Sequence, residues 1–195
     1  MRVHVLAVTA LVLVFGGAAA AQEAPTSKSK AGRDAGDVAS APVGKTAAAT
    51  LGSVNATAFV QNAARSDMYE IQAANMALQR SQNAQIKDFA QMMVKDHTQT
   101  SQKLMSTLPA GMMAPKDLDK RRQGMLDNLK NSAPGEFDKR YVAQQIAAHQ
   151  EAVTLMRGYG DRGDNPQLKQ LAAATAPKVE QHLQLAKMLP GAAGK

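Results

Sequence analysis

The chain has 195 residues, a net charge of +7 and no cysteine. That length suits one ordinary domain plus extras, and the missing thiols exclude a disulfide framework, zinc–thiolate sites, iron–sulfur clusters and a cysteine nucleophile. Apolar residues make up 45% of the chain but aromatics only 4%, with much of the apolar share in Ala and Met. A core of that kind needs close helix packing, and the scarcity of β-branched residues beyond the apolar start disfavours sheet.

The N-terminus reads as an address. Arg2 gives a positive start, Val3 to Phe15 an apolar stretch, and Ala18 to Ala21 a small-residue exit, so cleavage after Ala21 leaves Gln22 first. The apolar run is about 13 residues, short of the roughly 20 a membrane-spanning helix requires. The expected location is therefore the periplasm or the extracellular space, with no transmembrane segment in the mature chain. Residues 22–53 are rich in Ala, Gly, Ser, Thr, Lys and Pro without periodicity. Such a segment buries too little to offset its ordering entropy and is expected to be a disordered spacer.

From Asn55 the pattern is helical. At 100° per residue, Phe59, Ala63, Glu70, Ala74 and Ala77 share one face. Asn83 is placed to cap a second helix running to about Thr107, with Ile86, Ala90, Met93, His97, Leu104 and Leu108 in line. After a Pro/Gly/Met stretch, a short amphipathic helix is expected from Lys116 to Asn131, ended by Pro134-Gly135. A third long helix is expected from Glu136 to Gly158, with Phe137, Tyr141, Ala148, His149, Ala152 and Met156 inward and a turn from Gly158 to Asp164. Asn165-Pro166 starts a fourth, reaching about Leu189 with Leu168, Ala172, Thr175, Val179, His182 and Ala186 aligned. Pro177 lies inside it and should kink it or open a bulge. The bundle is thus expected over residues 54–190, with a flexible tail at 191–195.

An internal echo supports two similar hairpins. Asn83-Ala84-Gln85-Ile86-Lys87-Asp88-Phe89-Ala90 parallels Asn165-Pro166-Gln167-Leu168-Lys169-Gln170-Leu171-Ala172, and Val94-Lys95-Asp96-His97 parallels Val179-Glu180-Gln181-His182. The segment between the hairpins is long enough to travel the bundle's length. The expected fold is all-α: a ferritin-like four-helix bundle whose long crossover carries a short extra helix.

The chemistry sits on the inward faces. His97, His149 and His182 fall on three long helices and Glu70 on the fourth, all near mid-helix, so four polar side chains can meet at one depth. Three imidazoles and a carboxylate suit one divalent ion such as Zn, Fe, Mn or Cu. The Glu-x-x-His repeats of a dinuclear centre are missing, since Val94 and Val179 stand three residues before His97 and His182. The alternative is a metal-free structural or interaction module whose buried histidines and Glu70 form a hydrogen-bonded network.

Asp96, beside His97, and Tyr141 are candidate supporting groups that orient or face such a site. The methionines, among them Met92-Met93 and Met112-Met113, offer thioethers to copper(I), although gap-filling is their ordinary role. No catalytic residues emerge: a Gly-rich phosphate loop and a G-x-S-x-G elbow are both missing. A redox enzyme acting on peroxide or superoxide would need an open coordination position that sequence does not reveal. The basic charge is scattered, and its one tight cluster, Lys120-Arg121-Arg122, lacks interleaved aromatics. Nucleic acid is therefore not an expected partner, and weak association with anionic envelope surfaces is the milder reading.

Over about residues 55–190 the chain resembles the bacterial DUF4142 family of domains of unknown function. The resemblance is carried by Phe59-x10-Glu70, by Phe89-Ala90-x-x-Met93-Val94-x-Asp96-His97, by Phe137-Asp138-x-x-Tyr141 followed by His149, and by Pro177 leading to His182. Ala176 stands where a Leu before the proline is expected. The resemblance implies a ferritin-like bundle, usually exported, with no established activity.

Overall fold

Each helix starts where a side chain can satisfy the exposed amides of a first turn. In the computed structural model, which describes residues 54–192, Asn55 accepts from the Ala58 amide and opens α1 (Ala56–Arg80). Asn83 accepts from the amides of Gln85 and Ile86 and opens α2 (Ala84–Thr107). Asp119 does the same for Arg122 at the head of the short α3 (Lys120–Lys130). The next helix, α4 (Pro134–Arg162), has no side-chain cap but places Pro134 in its first turn, where the missing N–H costs nothing. Asn165 caps α5 (Pro166–Met188), accepting from Leu168. The expected signal segment at 1–21, the expected spacer at 22–53 and residues 193–195 of the expected tail lie outside the described residues.

Two boundaries differ from the sequence reading. The short helix begins at Lys120 rather than Lys116, because Asp119 is its cap and the residues before it bend. The third long helix starts at Pro134 and runs through Gly158 and Gly160 to Arg162. There the Tyr159 ring stacks on Phe59, with centroids 4.1 Å apart, and the Tyr159 hydroxyl donates to Asp164. Those contacts offset the helix-weakening effect of two glycines. Gly160 also sits where a Cβ would come within 3.1 Å of the Ala173 amide nitrogen, so its bareness lets α4 and α5 approach closely.

The hairpin partners α1/α2 and α4/α5 pack most extensively; α1 also lies beside α4, and α2 beside α5. Phe59 meets Tyr159 at one end of the α1/α4 pair and Arg80 covers Phe137 at the other, so those helices run antiparallel. Asp88 and Phe89 at the start of α2 lie near Leu185 and Met188 at the end of α5, so that pair is antiparallel too. The consecutive long helices α2 and α4 therefore point the same way, and the chain between them must return along the bundle. That is the expected crossover, and α3 within it packs on α1 and α4. Among the described residues there are five helices and no strand.

The inward stripes read from the sequence are buried almost throughout, but the core is not continuous. One apolar cluster gathers Tyr69, Ile86, Phe89, Met93, Leu129, Phe137, Tyr141 and Ala186. The other gathers Phe59, Ala63, Leu104, Leu155, Tyr159, Leu168 and Val179. Between them, on every long helix, lie polar residues: Asp67 and Glu70, Asp96 and His97, Gln145 and His149, and His182.

The α3 cap gives a pH-dependent test. Burial alone would raise the Asp119 carboxyl, but the Arg122 amide and the nearby guanidinium hold it below its ordinary 3.8. A carboxyl lowered by folding stabilises the fold above its unfolded value, and that contribution fades as pH falls through the folded value. Asp119→Ala should therefore cost about 1 kcal/mol at neutral pH. Urea denaturation should show the parent and variant converging as the pH falls below the carboxyl's ordinary 3.8; a constant gap would disprove the linkage.

Candidate metal centre

His97 from α2, His149 from α4 and His182 from α5 turn their rings into the polar layer. Ring centroids are 5.6 Å apart for His97–His149, 5.6 Å for His97–His182 and 5.5 Å for His149–His182, nearly an equilateral triangle. All three residues are at most 4% exposed. The layer exists because each histidine occupies a stripe position between apolar residues of its own helix, such as Met93 and Leu104 around His97.

One nitrogen of each ring is held from outside the triangle. His97 Nδ1 lies 2.8 Å from Asp67 Oδ1, His149 Nδ1 lies 2.8 Å from the Gln145 carbonyl, and His182 Nε2 lies 3.0 Å from Asp96 Oδ2. A carbonyl can only accept, and so can an ionised carboxylate, so each of these nitrogens carries the proton and donates. In the neutral ring the other nitrogen then carries a lone pair. Those others are His97 Nε2, His149 Nε2 and His182 Nδ1, and all three are buried without a hydrogen-bond partner. One ring nitrogen from each of the three histidines lies within 4.8 Å of those of the other two.

This donor set fits a metal ion. In its neutral form each ring offers one buried, unpartnered nitrogen, and each has an outer acceptor that fixes its tautomer, the usual support of metal-binding histidines. Bonds of about 2.0–2.1 Å imply nitrogens roughly 3.4 Å apart around a tetrahedral ion, so binding would draw the rings slightly inward.

The layer's charges are unequal. Burial alone would lower His97, but the Asp67 hydrogen bond and the Asp67, Glu70 and Asp96 charges raise it above 6.5. His149 is driven well below 6.5 by burial and by the charges of its two neighbours. His182 is lowered to about 4 by burial and by His97, against the pull of Asp96. Desolvation lifts Glu70 to about 7.

Of the four residues picked from sequence, the three histidines are brought together and Glu70 is not among the converging donors. Its Oε1 is 3.8 Å from His149 Nδ1, the outward nitrogen, and its Oε2 accepts from Gln145 Nε2 at 2.7 Å. Asp96 meets an imidazole on α5 rather than on its own helix, and the Lys178 ammonium donates to the same Oδ2 at 2.9 Å. Tyr141 lies two turns from His149 on the same helix, packed against Phe89 and Phe137.

Asp67 and Gln145 escaped the sequence reading. Asp67 stands three residues before Glu70, at the flank of the α1 stripe, and accepts from Thr100 Oγ1 at 2.9 Å and Ser101 Oγ at 3.3 Å besides His97. The available signal was an acid one turn from an inward acid. Loss of the outer carboxylate in Asp67→Ala should weaken metal affinity about 10–100-fold. Competition with a chromophoric chelator would measure it, and an unchanged affinity would remove Asp67 from the site.

With the geometry in hand, the comparisons add family and fold. The family model described as "Domain of unknown function (DUF4142)" matches residues 41–189. The chain belongs to that family. None of the curated proteins matches this DUF4142 chain. Among solved structures it is similar to "CopM in the Cu(II)-bound form", at 19% identity and a TM-score of 0.54, covering 68% of this chain and 93% of that one. A likeness at that identity shows a shared helical fold. Among the described residues of the DUF4142 chain, no helix is long and apolar enough to cross a membrane.

Proposed function

We propose that this DUF4142 protein binds one divalent metal ion in its bundle core through His97 Nε2, His149 Nε2 and His182 Nδ1. The observation that carries the reading is a buried, unpartnered nitrogen on each of three histidines that each bring a ring nitrogen within 4.8 Å of the others. A buried polar atom without a partner costs roughly 1–3 kcal/mol, and one on each of three neighbouring histidines is hard to explain as packing. Imidazole donors suit zinc, copper and iron; manganese, which prefers oxygen ligands, would need Glu70 to swing inward. The CopM chain carries Cu(II), so copper belongs in any metal screen. Three protein ligands leave a tetrahedral ion one open position. Asp67, Asp96 and the Gln145 carbonyl hold the rings, and Asp67 and Asp96 bring negative charge close to a bound cation.

In the same proposal the chain is exported, with cleavage near Ala21 and residues 22–53 as a spacer before the bundle. Elemental analysis of protein purified without an affinity tag tests the metal reading. One ion per chain is expected in the parent, and none in His97→Ala or His182→Ala. A parent free of metal even after incubation with Zn(II), Cu(II) and Fe(II) would leave the metal-free structural module as the better account.

A further inference from the structure

The three rings are almost wholly buried, so an ion reaches them only through the wall. Among the described residues, two openings come near the polar layer. One is a larger, mostly apolar groove of about 500 Å³ between the start of α2 and the end of α5, lined by Gln85, Asp88, Phe89, Met92, Leu185 and Met188 among others. Its floor, Phe89, stands edge-on to His149 with centroids 6.3 Å apart and closes it from the triangle. The other is a narrow crevice of about 10 Å³, lined by Asp67, Thr100, Leu104, Leu171 and Thr175 among others. That is room for about one water. Thr100, Leu171 and Thr175 are half-buried at its mouth, and Asp67 is 6% exposed. The crevice thus ends on the carboxylate that holds His97.

Resting on the metal reading above, we propose that the centre is loaded with a free hydrated divalent cation through this crevice, between α2 and α5, and not by transfer across the methionine-lined groove. A divalent ion sheds water only where other oxygens replace it. Carboxylate and hydroxyl oxygens are hard donors suited to such an ion. The crevice offers the Asp67 carboxylate and the Thr100 and Thr175 hydroxyls. The groove carries oxygens as well, on Asp88 and Gln85, but its Phe89 ring stands between it and His149, whereas the crevice's Asp67 is bonded directly to a ring of the triangle. Asp67 therefore has two tasks: it orients His97 and it is the first anionic group an incoming ion meets.

Stopped-flow mixing of the mature chain with Cu(II) or Co(II), followed by their visible bands, tests the route. Thr175→Met, which fills the mouth, should slow loading at least tenfold while leaving one ion per chain at equilibrium. Thr175→Ala, which widens it without adding bulk, should speed loading about threefold and guards against misfolding of the larger variant. Phe89→Ala, which opens the groove floor, should change the rate less than twofold. Parent-like rates in both Thr175 variants with one ion bound, or tenfold faster loading in Phe89→Ala, would overturn the route and leave the metal site standing. A parent chain that takes up no ion would overturn both.

Discussion

His149→Leu is expected to abolish metal binding and, in the metal-free state, to make the bundle more stable. The two effects have one cause. His149 is 1% exposed, its Nε2 has no partner, and burial drives the ring well below its ordinary pKa. Without an ion, the protein therefore keeps a desolvated acceptor inside its core. Leucine fills a similar volume with no polar atom, a change cores tolerate well, and deleting the unpaired nitrogen should yield about 1–2 kcal/mol. His149→Ala also deletes that nitrogen but leaves a void, and it should be less stable than the leucine variant by about 2 kcal/mol. Both should lose affinity by far more than the about 10–100-fold typical of a supporting residue. Denaturant titration in a chelator, beside calorimetric metal titration, gives the readouts. A leucine variant less stable than the metal-free parent would show that His149 is a structural residue.

Saturating metal should raise the thermal midpoint of the parent by roughly 10–15 °C. An ion that binds only the folded state at a thousand times its Kd adds about 4 kcal/mol, and a domain of this size moves by about 3 °C per kcal/mol. The ligands come from three different helices, so the unfolded chain has no preformed site to compete. His97→Ala should show no shift at the same metal concentration. A parent midpoint indifferent to Zn(II), Cu(II) and Fe(II) would contradict the proposed function.

Much of this architecture was legible in the residues themselves. Asn83 and Asn165 announced two helix starts because an Asx side chain ahead of an apolar stripe has a definite task, and both are caps. The stripes predicted burial because a 3.6-residue period leaves one face for the core. The histidines could be placed at one depth because mid-helix positions coincide in a bundle whichever way its neighbours run. What local patterns could not supply was the partner of each ring. Asp67 meets His97 across the α1/α2 hairpin, and Asp96 meets His182 on a helix far away in sequence. Such pairings follow from how helices rotate against each other. Gly158 and Gly160 misled for a related reason: as signals they favour a turn, but tertiary contacts of Tyr159 and Ala173 carry the helix past them. Glu70 was correctly placed on the inner face, yet being inward did not fix which side of His149 its carboxyl would reach.

Because α2 belongs to one hairpin and α4 and α5 to the other, an ion gripped by all three would latch the two halves of the molecule to each other. Neither half alone could retain it, so a nascent or partly opened chain would surrender its cargo and only the finished assembly would keep it. Possession of the ion would then certify that the halves have closed.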